Sequence, residues 1–111
     1  MSALQYYIIF AGGWSVVNGL LHDIFILRER RPFEKELIRL MIDGHILIFS
    51  GIFYWVSVSG LSTPNSLAYI ICIITAIFLL GYCAWIFKML PSIGTIAVNL
   101  IALIWLLIAF L

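Results

Sequence analysis

LAYIICIITAIFLLGYCAWIF, residues 67–87, contains neither a charged residue nor a proline. An apolar run of about 20 residues is the length of a helix that crosses the roughly 30 Å of hydrocarbon in a bilayer. Three further runs of the same character occupy approximately residues 4–27, 38–60 and 93–111. Inside hydrocarbon every backbone N–H and C=O must be paired within the structure that spans it, which leaves helices or closed barrels. The period-two alternation of barrel strands is missing from all four runs. The expected fold is therefore an all-α membrane protein, one domain over residues 1–111, with four transmembrane helices in an up-down antiparallel bundle joined by short loops.

Composition points the same way. Hydrophobic residues make up 65% of the 111 and charged residues only 10%, with a mean hydropathy of +1.20. A soluble domain carries roughly 25% charged residues because it needs a polar skin. The first run has no basic residue ahead of it and no small-x-small cleavage pattern behind it, so it is expected to be a retained span. Cys72 and Cys83, 11 residues apart in the third run, lie about 16 Å apart along a helix and cannot bridge. They read as small apolar filler.

Charge distribution sets an expected orientation. Arg28, Arg30, Arg31, Lys35 and Arg39 crowd in or beside the first loop, whereas the second loop, LSTPNS at 61–66, is uncharged. Lys88 falls where the third loop begins. The positive-inside rule then places the first and third loops in the cytoplasm and both termini outside an inner membrane. Glu29, Glu34 and Glu36 are interspersed among these basic residues, a mixture that suits a solvated turn against anionic lipid and does not point to nucleic acid. Pro32 is expected to open the second helix, with Glu34 and Glu36 in its first turn.

Two short motifs break the apolar pattern: GLLHDIF at 19–25 and LMIDGHIL at 40–47. Ionisable residues within spans are rare and costly, and each is by default a functional-site hypothesis. Turning the helices by about 100° per residue places Ser15, Asn18 and His22 on one face of the first span, with Asp23 at its edge. On the second span Asp43 shares the interior face with Arg39, Ser50 and Tyr54, while His45 points elsewhere, toward lipid, a partner or another helix. At about 1.5 Å per residue, His22, Asp43, Tyr82 and Asn99 all fall about 9 Å from their cytoplasmic helix ends, in one expected layer.

The ligand- or proton-binding candidates are thus His22 and Asp43 as the titrating pair, surrounded by Asp23, Asn18, Ser15, Tyr82 and Asn99. An aspartate and a histidine held together can exchange a proton near neutral pH. The alternative is a polar fringe near the membrane surface, where Arg39 satisfies Asp43 at helical ion-pair spacing. A metal site needs three or four converging ligands, and His22, Asp23 and Asp43 are the only candidates for one. His45, Met41, Phe49 and Ile52 form the expected partner interface, with another copy or within a larger membrane complex. The cofactor is left unknown: His22 and His45 could ligate haem from two helices, but their faces do not match.

In size and four-span layout the chain resembles the small multidrug-resistance transporters, whose members work as dimers. Their mark is a glutamate in the middle of the first span, where this chain reads FAGGWSVVNG at 10–19 without an acid, so no site carries over. GLLHDIF is similar to a stretch of the four-span DoxX-like proteins. The leading expectation is a small inner-membrane protein with a polar pocket in its cytoplasmic half that binds a small or amphipathic ligand or supports proton- or ion-coupled transport. A structural or accessory subunit is the second reading. An intramembrane metal-dependent enzyme is the third, since no complete nucleophile or metal constellation is visible.

Overall fold

A computed structural model describes residues 1–30, 32–63, 66–85 and 93–111. Arg31, Pro64, Lys88 and Ser92, to which the sequence reading assigned loop or stripe positions, lie outside the described residues. The chain forms α1 (Ala3–Arg28), α2 (Lys35–Ser57), α3 (Leu67–Trp85) and α4 (Ile93–Phe110), with a short 3₁₀ turn, Val58–Ser62, continuing α2. All four helices are long and apolar enough to cross a membrane, α3 and α4 being the more apolar. Among the described residues there is no strand.

Local chemistry explains the helix ends. Ser2 caps α1 reciprocally: its hydroxyl accepts from the Gln5 N–H at 3.3 Å, and its own N–H donates to Gln5 Oε1 at 2.9 Å. Gln5 Nε2 then donates to the Val58 carbonyl at 3.0 Å, so the start of α1 is pinned to the end of α2. At the other end Arg30 takes a left-handed conformation, φ 51°, just past the α1 terminus, the position where a glycine is usual. Pro32 does not open α2 as expected. The helix starts three residues later, because the extended residue it needs at its N-cap is Glu34, at φ −131° and ψ 174°.

Gln5→Ala removes both the reciprocal cap and the pin to Val58, whereas Ser2→Ala weakens the cap alone. We expect about 1–2 kcal/mol of lost stability for the first and about 1 kcal/mol or less for the second, read from thermal unfolding in detergent. Equal losses would show that the Val58 bond contributes nothing.

α1 and α2 run antiparallel along a glycine-lined seam. Trp55 Nε1 donates to the Ile9 carbonyl at 3.0 Å, Gly12 meets Gly51 and Gly19 meets Gly44. A Cβ on Gly19 would stand 2.5 Å from the Gly44 carbonyl oxygen, and one on Gly51 would stand 2.5 Å from that of Gly12. The glycines recur seven residues apart on each helix, the spacing at which one side chain per two turns returns to the same seam. Small residues are what permits such backbone approach between helices in lipid.

α4 docks on α1 through Tyr7 OH donating to the Val98 carbonyl at 2.7 Å and Trp14 Nε1 donating to Thr95 Oγ1 at 3.2 Å. Tyr69 of α3 donates to the Leu61 carbonyl at 2.9 Å and packs its ring against Phe110 of α4. Ile8, Tyr54, Cys72, Leu79 and Leu106 fill the common core with no exposed surface. Cys83 is also buried, and both thiols are free.

Candidate functional site

The site grows out of the Gly19–Gly44 approach. Asp23 lies one turn beyond Gly19, and the closeness of the two backbones sets its carboxylate directly against Gly44, where a Cβ would collide with it. Asp23 is 8% exposed. Its Oδ2 lies 3.1 Å from Nδ1 of His45 on α2, and its Oδ1 lies 3.8 Å from Nδ1 of His22. The first is a close ion-pair contact within hydrogen-bonding distance; the second is too long for a hydrogen bond. Accordingly His22 Nδ1 and Asp23 Oδ1 are both buried without a hydrogen-bond partner.

His45 Nδ1 also lies 2.7 Å from the Met41 carbonyl oxygen. Both neighbours of this nitrogen are acceptors, so the proton is assigned to Nδ1, which donates to the Met41 carbonyl and faces the Asp23 carboxylate. Nε2 is left as the free ring nitrogen of an imidazole that is 52% exposed. An imidazole oriented by a carboxylate through one nitrogen has its other nitrogen set to take up a proton or bind a ligand.

Asp43 is half-buried, with His22 and Arg39 as its charged neighbours. The pair that was not expected is Asp23 with His45. Face counting separates His45 from Asp43 on α2 and leaves it lipid, a partner or another helix; the structure gives the helix, α1, and the residue it meets, Asp23. The physical reason is the glycine seam, which shortens the α1–α2 distance enough for two side chains on the flanks of their helices to meet. Gly12, Gly19, Gly44 and Gly51 carry that signal in the sequence as two seven-residue repeats.

The expected single polar layer is two layers. Asn99 is fully buried, its Oδ1 accepting from Tyr54 OH at 2.6 Å and its Nδ2 donating to the Thr95 carbonyl at 2.9 Å. Thr95 in turn meets Trp14, two turns before His22. Asn99 therefore belongs to a mid-bundle level and not to the His–Asp cluster, because equal depth counted from helix ends assumes ends that are level. Asn18 folds back on its own helix, donating to the Trp14 carbonyl at 2.7 Å. Ser15 is fully buried and its hydroxyl has no partner; Tyr82 stacks on Phe78 and its hydroxyl also has none.

Of the expected interface, Phe49 and Ile52 are exposed and Met41 is half-buried. Phe49 also lines a groove of about 470 Å³ between α2 and α3. Among the described residues no three His, Cys, Asp or Glu side chains converge as a metal site, so His22, Asp23 and Asp43 do not form one.

No family model, curated protein or solved structure matches this chain.

Proposed function

We propose that this chain is a small inner-membrane protein that takes up protons at the Asp23–His45 pair and couples them to a small or amphipathic ligand held against His22 and Asp43. Its four helices form an up-down bundle, the basic turn between α1 and α2 facing the cytoplasm and both termini outside. That orientation rests on Arg28, Arg30, Lys35 and Arg39 standing against an uncharged second loop. The observation that carries the reading is a buried carboxylate satisfied on one oxygen only, with His22 Nδ1 unpartnered beside the other. A buried polar atom left without a partner costs about 1–3 kcal/mol. Retaining two of them side by side within an apolar bundle makes sense if a proton or ligand completes them.

The test is proton flux into proteoliposomes under an imposed pH gradient, followed with an internal pH-sensitive dye. Asp23→Asn is expected to abolish protein-dependent flux, and His45→Ala to lower it about tenfold, the equivalent of one hydrogen bond to a charged group. Wild-type protein that carries no protons, or variants that carry them undiminished, would overturn the proposal.

The exposed imidazole supports a second reading, an accessory subunit that docks other membrane proteins through His45, Met41, Phe49 and Ile52. A stoichiometric partner recovered with the wild type in detergent and lost from His45→Leu, together with normal flux in Asp23→Asn, would favour it.

A further inference from the structure

We infer that the groove between α2 and α3 binds an anionic phospholipid, with one acyl chain along the groove and the phosphate at Arg39. The rims are Phe49 at 58%, Phe53 at 56%, Ile74 at 60% and Phe78 at 52% exposure. Ser50 and Thr75 on its floor are buried, and Thr75 returns its hydroxyl to the Ile71 carbonyl at 2.7 Å. The walls therefore offer an occupant apolar contact. A partner helix is poorly suited to them, since helices in lipid approach through small residues and these rims are phenylalanine and isoleucine. A flexible chain has no backbone to bring close and can follow an irregular aromatic surface.

Charge decides the head group. Arg39 lies two helical turns before Ile46, on the same face of α2, about 10 Å along the axis from the end of the groove. Lys35 lies one turn further in the same direction. Arg39 already shares its charge with Asp43, but a guanidinium has five N–H donors, enough for a phosphate as well. On α3 the groove continues past Phe78 into a second concavity lined by Gly81, Tyr82 and Trp85. The inference is independent of proton uptake at Asp23 and His45.

The experiment is native mass spectrometry of the protein released from nanodiscs of equimolar phosphatidylglycerol and phosphatidylcholine. We expect at least one retained phospholipid per chain, with phosphatidylglycerol preferred about fivefold, the effect of one basic side chain at a membrane surface. Arg39→Gln should bring the two lipids to near parity while a lipid is still retained. Ile74→Trp, at an exposed position whose larger ring fills the groove, should lower retention of both. Circular dichroism confirms that each variant is helical, and Arg39→Gln keeps the test valid if the tryptophan disturbs folding. The inference is overturned by loss of all lipid on release, by retention without head-group preference, by insensitivity to both variants, or by a second protein chain seated in place of lipid.

Discussion

Gly19→Leu is expected to lower the unfolding free energy by about 2–3 kcal/mol or more, the upper range for overfilling a packed contact. The new side chain has nowhere to go. Its Cβ alone would sit 2.5 Å from the Gly44 carbonyl oxygen and 3.0 Å from the Ile48 nitrogen, both backbone atoms that move only if α1 and α2 separate. Separation would also open the 3.1 Å contact between Asp23 and His45, so proton uptake should fall with stability. Gly51→Leu, about 10 Å away along the same seam, should cost a similar amount, and the two together less than their sum, because either one already parts the same two backbones. Gly81→Ala is the control: a Cβ there meets nothing within 4 Å, and replacing a helical glycine should gain about 0.5–1 kcal/mol. Reversible unfolding in mixed micelles measures all three. Equal effects at Gly19 and Gly81 would show that the seam is not a close contact.

Asn99→Leu should cost about 1–3 kcal/mol, because it leaves the fully buried Tyr54 hydroxyl without an acceptor. Tyr54→Phe should cost less, since Asn99 keeps its bond to the Thr95 carbonyl and loses only the donor to Oδ1. Combining them removes both halves of the bond. The double variant is therefore expected to be more stable than the sum of the single losses by about 0.6–1.7 kcal/mol, the range for hydrogen bonds between membrane helices. Strict additivity would mean that the bond between α2 and α4 contributes nothing measurable.

Local properties of this chain are legible in its letters, and relations between helices are legible only in part. The four helices follow from runs such as 67–87, because hydropathy is summed residue by residue and lipid admits few alternatives. The start of α2 is misplaced at Pro32 because a fixed φ permits a helix without compelling one, and Glu34 has the extended geometry of the cap. Asp23 and His45 are both visible as polar exceptions, yet their pairing depends on how near two backbones come, which no helical wheel contains. Asn99 shows the reverse error: counting from helix ends grouped it with His22, whereas its partner is Tyr54. Two glycines seven residues apart, twice, were the readable clue to the helix separation.

The seam between α1 and α2 also bears on biogenesis. These two helices carry His22, Asp23, Arg39, Asp43 and His45 and are less apolar than α3 and α4, so each is a poor substrate for insertion as a single helix. As an antiparallel hairpin they present a carboxylate already bonded to an imidazole across the turn-proximal end of the seam. Partition of the pair as a unit therefore lowers the desolvation that each helix would face alone. Substitutions that part the hairpin should accordingly show themselves first during synthesis, as failed integration into the bilayer.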